Sequence, residues 1–212
     1  MHFYGEHNTD QVIRSFFPDL AYEGVFIDIG AGRPDFISLS RHFKESGWTV
    51  VCIEANPEFA RLHRETGNRI IECAVSNYNA DNVDFTICKT HVNGFGGTIT
   101  MEAASALKAI PRYESAGDIR SKEIIKVNVR TLDAILALSL TDIETIDIIT
   151  IDVEGGELDV LAGFTQKHMY PKLFVIECLF GDRLSQDIAL MGSLGYKLVT
   201  NQSYNYFYIK TS

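Results

Sequence analysis

What this chain lacks narrows its chemistry before any motif is read. It has no basic run: 28 acidic residues face 19 Lys and Arg, for a formal net charge of −9. A nucleic-acid backbone would therefore find no complementary surface. No apolar stretch approaches the length that crosses a bilayer. Met1 to His7 carries neither a cationic n-region nor an apolar h-region, so a secretory leader is not expected there. The four cysteines, Cys52, Cys73, Cys88 and Cys178, form no Cys-x-x-Cys pair, and each falls in a predicted strand. That pattern predicts reduced core thiols in a cytoplasmic protein, not a disulfide frame or a zinc site. There is also no internal repeat and no linker-like shift in composition. With 212 residues, 46% of them hydrophobic, one domain over 1–212 is expected, with an N-terminal helical segment at 1–20 and an irregular insertion, a possible lid, at about 90–122.

What is present is organised around Val25-Phe26-Ile27-Asp28-Ile29-Gly30-Ala31-Gly32. An apolar, β-branched run ends in an acid and a glycine pair, as a buried parallel strand entering a ligand-binding turn does. A helix is expected over 8–17 with Asn8 or Thr9 as its cap, and another over 38–46. Thr49 to Glu54 is a second buried strand, and Asn56-Pro57 opens a helix ended near Gly67. Arg69 to Val75 is a third strand, which completes a βαβαβ half-unit. Val83–Cys88 and Ile124–Val129 alternate like edge or antiparallel strands, and Met101–Lys108 has a helical composition. Further strands are expected at Ile146–Asp152 and Leu173–Cys178, followed by a helix at Leu184–Leu194. Tyr196–Thr200 and Tyr204–Lys210, joined by three residues, read as a terminal antiparallel hairpin. The fold class is α/β: a doubly wound, mostly parallel, seven-stranded Rossmann-like sheet.

Four acids, Asp28, Glu54, Asp152 and Glu177, fall at or near the carboxyl ends of predicted strands, where open α/β sheets bind ligands. Glu54 stands about 20 residues past the glycine turn, the spacing of an acid that accepts hydrogen bonds from ribose hydroxyls; its plain alternative is a cap for the next helix. A dinucleotide turn wants a third glycine where this chain has Asp35, and an anion is electrostatically wrong beside a pyrophosphate. S-adenosyl-L-methionine offers a ribose, an ammonium for Asp28 and no phosphate, so the turn reads as a methyl-donor site.

The chain resembles the FkbM-type methyltransferases over nearly its whole length. The resemblance rests on Tyr4-Gly5-Glu6 with Asp10, on Phe26 to Ala31, Pro34, Ser38 and Gly47-Trp48, and on Ile53-Glu54-Ala55-Asn56-Pro57. It continues through Ala74-Val75-Ser76 and Thr131-Leu132-Asp133. The most specific segment is Ile151-Asp152-Val153-Glu154-Gly155-Gly156-Glu157. What the resemblance implies is a class I methyltransferase fold and O-methylation of a hydroxyl on a sugar, glycan or small metabolite, with S-adenosyl-L-homocysteine as product. The implied cofactor residues are Asp28, Gly30, Ala31 and Gly32 on the turn, Ser38 beyond it, Glu54, Ala55 and Asn56 after the second strand, Ala74, Val75 and Ser76 after the third, and Asp152. Two positions depart from the family pattern. Thr150 stands where some members carry lysine, and 90–122 matches no family segment.

Methyl transfer to a hydroxyl needs alignment and removal of a proton. Asp152 is the candidate to line the donor site. Glu154 is the candidate to orient the acceptor or act as base, against the alternative that it buttresses the Gly155-Gly156 turn. His91, in a glycine-rich stretch, is a further candidate base. Asp152, Glu154 and Glu177 together have the oxygen chemistry for a divalent cation, but no known ligand spacing, so no metal is assigned. Phe95, Tyr113 and Tyr204 are candidates to stack on a sugar ring. The competing readings are a non-catalytic nucleotide- or partner-binding module and an NAD-dependent oxidoreductase; Asp35 argues against the second. Oligomeric state is not read from the sequence.

Overall fold

The computed structural model describes residues 1–94, 97–101, 105–107, 119–178, 181 and 183–211, with backbone alone at 90–94, 97–101 and 119–120. The strands are β1 (Val25–Ile29), β2 (Thr49–Glu54), β3 (Arg69–Glu72), β4 (Ala74–Val75), β5 (Ala80–Gly94), β6 (Gly97–Met101), β7 (Ile119–Arg130), β8 (Ile148–Ile151), β9 (Leu173–Glu177), β10 (Tyr196–Gln202) and β11 (Asn205–Lys210). The helices are α1 (Thr9–Ser15), α2 (Arg41–Glu45), α3 (Pro57–Glu65), α4 (Leu132–Ser139), α5 (Glu157–Ala162) and α6 (Leu184–Ser193).

Seven strands form the main sheet in the order β10-β11-β9-β8-β1-β2-β3. β1 lies near its middle, parallel to β2 on one side and β8 on the other. β2 and β3, and β8 and β9, are also parallel, and β11 alone runs against its neighbours. The alternation of side chains along β1 explains the two layers of helices. Ile27 and Ile29 enter a core that also holds Leu132 and Leu136 of α4, Val160 of α5 and Met191 of α6. Phe26 points the other way, into a core with Ile13 of α1, Phe43 of α2 and Trp48. Both faces are covered, so the central strands are apolar apart from Thr49, Thr150 and the acids at or beside their C-terminal ends. The four cysteines are free and buried.

The capping residues behave as their chemistry requires. Asn56 accepts a hydrogen bond from the Glu58 amide, 3.0 Å away, with Pro57 at the first helical position of α3. Thr131 does the same for Ala134 in α4.

A second sheet, in the order β4-β7-β5-β6, departs from the sequence reading. Arg69–Val75 does not continue as one strand. It breaks at Cys73, and Ala74-Val75 leaves the main sheet to pair with Val129-Arg130 of β7. Met101–Lys108 is not helical where it is described: Met101 pairs with Thr90, and Ala106 exchanges both backbone hydrogen bonds with Thr86 at 3.0 Å. Pairing to the open edge of β5 overrides local helical preference there. The glycine-rich stretch expected as a loop instead ends a hairpin, with Gly94 opposite Gly97. The C-terminal hairpin turns on two residues, Ser203-Tyr204, where three were expected. The helix expected over 38–46 begins only at Arg41.

Candidate active site

The glycine turn is held from both neighbouring strands. Gly30 and Ala31 donate their amides to the Ile53 carbonyl at the end of β2, at 2.9 and 3.3 Å, and the Asp152 amide donates to the Ile29 carbonyl at 3.0 Å. The turn therefore sits in the crevice formed by the carboxyl ends of β1, β2 and β8. Gly30 has φ +76°, and a Cβ there would lie 1.7 Å from the Asp152 carbonyl oxygen, so no other residue fits. Gly32 has φ +58°, and a Cβ there would enter open space.

That space is a cavity of about 230 Å³. On the β2–β3 side of β1 its wall is apolar, with Ala55, Phe59, Cys73, Ala74, Val75, Phe85, Ala106 and Leu107. The second sheet supplies part of this wall because Phe85 packs in a small core with Ala55 and Ala74. On the β8 side the wall is acidic, with Asp152 and Glu154, and Asp28 stands under the turn between the two.

Glu54 bridges the turn and the next helix. One carboxylate oxygen accepts from the Gly32 amide at 2.8 Å and the other from the Asn56 amide at 2.7 Å. Burial nonetheless pushes its pKa up to about 7. Asp28 is buried and raised for the same reason, although it accepts a hydrogen bond from the Thr150 hydroxyl at 2.6 Å. The threonine at the departure from the family pattern thus serves the acid of β1.

Asp152 and Glu177, on adjacent strands, share a hydrogen bond between their carboxyl groups, which requires a proton between them. Burial is the first cause that raises both: the Glu157, Asp28 and Glu6 charges add to it at Asp152, where the hydrogen bond from Glu177 pulls the other way, and the Asp152 charge adds to it at Glu177, which is the donor and holds its proton more tightly. The Glu154 charge also raises Glu177. Glu154 lines the cavity with φ +55°, a left-handed conformation uncommon for a residue other than glycine, asparagine or aspartate.

The buttress of the Gly155-Gly156 turn is Glu157. Its carboxylate accepts from the Gly155 amide at 2.8 Å and from the Val153 amide at 3.3 Å. Arg183 then clamps the pair, donating to the Gly155 carbonyl at 2.8 Å and meeting Glu157 at 3.4 Å. Sequence reasoning missed both residues; the signal was an acid at the first position of a helix facing the turn before it.

Of the other residues singled out, Gly30, Ala31, Gly32, Ala55, Ala74, Val75 and Ser76 line the cavity. Ser38 and Asn56 are buried outside its lining; the Asn56 side chain is used as the α3 cap. His91 lies on β5 opposite Thr100, and its side chain is outside the described atoms. Phe95 and Tyr113 are outside the described residues, and Tyr204 is exposed on the hairpin turn. The N-terminal segment reaches the site: the Glu6 charge acts on Asp152, and the segment is tied back by the Tyr4 amide to Asp10 at 2.6 Å and by Gln202 to the His7 carbonyl at 2.8 Å. No group of His, Cys, Asp and Glu arranged to hold a metal occurs among the described residues. No described helix is long and apolar enough to cross a membrane.

A mostly parallel sheet with β1 near its middle, one reversed strand near the edge, and acids with a glycine turn at the strand ends define a class I S-adenosylmethionine-dependent methyltransferase. The profile of the methyltransferase FkbM domain matches residues 28–198, and the chain belongs to that family. Its cofactor is S-adenosyl-L-methionine. No curated protein sequence matches it. Among solved structures it is similar to the methyltransferase FkbM of Methylobacillus flagellatus, at 14% identity and TM-score 0.49 over 88% of this chain and 43% of that one. It is similar to a SAM-dependent O-methyltransferase of Thermotoga maritima at 11% identity and TM-score 0.49, over 100% and 68% of the two chains. A precorrin-6y C5,15-methyltransferase of Geobacter metallireducens matches at 13% identity and TM-score 0.45, over 95% and 89%.

Proposed function

We propose that the protein transfers the methyl group of S-adenosyl-L-methionine to a hydroxyl of a small hydroxylated metabolite or a glycan, and that the cavity beside Glu54 is the cofactor site. The residues there fit that cofactor. The open space at Gly32 lets backbone approach a ligand, Glu54 presents an acid for a ribose, and the Ala55–Phe85–Leu107 wall suits an adenine. Asp28 suits an ammonium. Bound there, the cofactor supplies an electrophilic methyl carbon on a sulfonium.

The observation that carries the hydroxyl assignment is the hydrogen-bonded Asp152–Glu177 carboxyl pair at the strand ends, with Asp152 and Glu154 both lining the cavity. A hydroxyl must lose its proton as it is methylated, and a base with raised proton affinity is matched to that task near neutral pH. In this reading Glu154 orients the acceptor hydroxyl. The Asp152 carboxylate takes the proton, while Glu177 keeps its own proton and donates it to Asp152 as a hydrogen bond that holds the base in place. The second sheet walls the site on the side of Phe85 and Ala106.

A labelled-methyl transfer screen across sugars, glycolipids and small hydroxylated metabolites tests the proposal. With an acceptor in hand, Asp152→Asn is expected to lower kcat about a hundredfold or more. Glu154→Gln should reduce turnover with little change in cofactor affinity; wild-type turnover would remove its role. Binding of S-adenosyl-L-homocysteine without turnover on any acceptor would favour a non-catalytic binding module.

A further inference from the structure

His63, on α3, is absent from the reading above, yet it is fully buried and its ring lies between the glycine turn and the end of its own helix. One ring nitrogen, Nε2, is 3.0 Å from the Gly32 carbonyl oxygen, and the other, Nδ1, is 2.8 Å from the Asn68 side-chain nitrogen. Lys44 of α2 fixes the direction of the whole chain of bonds. Its ammonium can only donate, and it donates to Asn68 Oδ1 and, at 3.1 Å, to the Thr66 carbonyl. Asn68 must then present its NH₂ group to His63. Nδ1 must accept, so the proton sits on Nε2 and is donated to Gly32. The same residue's amide is already given to Glu54. Gly32 is thus pinned by its carbonyl to His63 and by its amide to Glu54.

We infer that His63 is a positioning residue for the cofactor turn, and that Lys44 and Asn68 hold its imidazole in the neutral Nε2–H form that this role requires. The inference rests on the proposed placement of the cofactor beside Gly32. Protonation puts a second N–H on the ring, facing the Asn68 NH₂. The amide cannot turn over to accept it without setting that NH₂ against the Lys44 ammonium. The charged groups facing His63 are Asp28 of β1 and Asp35 of the turn, which favour the imidazolium, and Lys44, which opposes it. Burial outweighs the two acids and holds the imidazole below its ordinary value.

Asn68→Asp tests the relay because a carboxylate only accepts. In that variant a neutral His63 turns its proton toward the new carboxylate and leaves a bare Nε2 against the Gly32 carbonyl, whereas an imidazolium donates to both. Calorimetry with S-adenosyl-L-homocysteine gives the ratio of variant to wild-type Kd at each pH, which removes titrations common to both proteins, including that of Glu54. The ratio is expected to be about five to ten at pH 8, the worth of one buried hydrogen bond, and to fall toward one by pH 6. Nitrogen-15 NMR of the ring should show the Nε2–H tautomer in the wild type and a raised pKa in the variant. His63→Gln, whose amide nitrogen can replace Nε2–H, should bind within about twofold of wild type and serves if Asn68→Asp does not fold. A ratio independent of pH, the Nδ1–H tautomer in the wild type, or tight binding by His63→Leu would overturn the inference. If the wild type itself binds no S-adenosyl-L-homocysteine, the placement of the cofactor is what fails, and the NMR result still decides the relay.

Discussion

Gly30 and Gly32 are two residues apart in one turn, both with positive φ, and the structure assigns them opposite consequences on replacement. In Gly30→Ala the new Cβ stands 1.7 Å from the Asp152 carbonyl, a backbone atom that a side-chain rotation cannot move away. The left-handed backbone costs a non-glycine residue about 1–2 kcal/mol. The overlap adds about 1–3 kcal/mol, at the upper end because β1 and β8 must separate to relieve it. A loss of about 4 kcal/mol lowers Tm by roughly 8–16 °C for a chain of this size. In Gly32→Ala, at φ +58° with nothing within 4 Å of the new Cβ, only the backbone cost applies, and Tm should fall by roughly 2–8 °C. That Cβ instead projects into the space assigned to the ligand, where one extra carbon costs about ten- to two-hundredfold in affinity. Thermal unfolding of the ligand-free variants, with calorimetric titration of S-adenosyl-L-homocysteine into Gly32→Ala, separates the two. Equal Tm losses would refute the contact geometry at Gly30. Unchanged affinity in Gly32→Ala would refute the placement of the cofactor.

Two further outcomes follow from the buried groups. Glu54 has a folded pKa near 7, above its unfolded value, so its contribution is fully present below about pH 4.3 and is lost progressively until pH has risen through about 7, by about 3 kcal/mol in all. His63, lowered by burial, acts in the opposite sense, losing stability as pH falls below about 6.5. With Asp28, Asp152 and Glu177 also raised, the ligand-free protein should unfold at higher temperature at pH 6 than at pH 8, and a Tm that climbs across that interval would contradict the burial of these acids. Glu157→Ala, which orphans the Gly155 and Val153 amides and takes one of the two partners of Arg183, should cost about 2–4 kcal/mol by denaturant unfolding; a loss below about 0.5 kcal/mol, the low end for a single hydrogen bond, would show that the turn after β8 holds itself.

The main sheet was legible because each of its parallel strands is an apolar run closed by an acid or a turn, a pattern set by burial on both faces. The site acids were legible for a related reason: Asp28, Glu54 and Asp152 interrupt those runs where the sheet ends. What could not be read was pairing between distant strands. The break at Cys73 had one local signal, Glu72 closing β3 as other acids close their strands, but Ala74-Val75 beyond it is apolar again, and only β7 explains the change of sheet. The roles of Glu154 and Glu157 were similarly ambiguous. Two acids three residues apart at a helix start can each reach the preceding turn, and the left-handed φ at Glu154 decides that Glu157 does so. His63 carried no motif, because its partners are a carbonyl 31 residues earlier and an amide five residues later.

The acids themselves say what kind of ligand the frame awaits. Asp28, Glu54, Asp152 and Glu177 are all held above their ordinary proton affinity, and burial is the first cause at each. Among the described residues Arg33 is the one basic side chain in the cavity wall, and it is spent on Asp35, 2.9 Å away. A fold that kept these carboxyl groups for stability alone would pair them with cations, as Asp147 is paired with Lys172 at the opposite end of the sheet. Asp28, Glu54 and Asp152 line the cavity and Glu177 stands behind Asp152; together they make the ligand-free state less stable above neutral pH, and a cation bound in the cavity recovers that energy as affinity. A pyrophosphate would deepen the penalty. A ligand with an ammonium and a sulfonium relieves it, and the sulfonium charge disappears once the methyl group has left. With the cofactor placed as proposed, the same burial that costs the empty fold stability would favour the charged donor over its neutral-sulfur product.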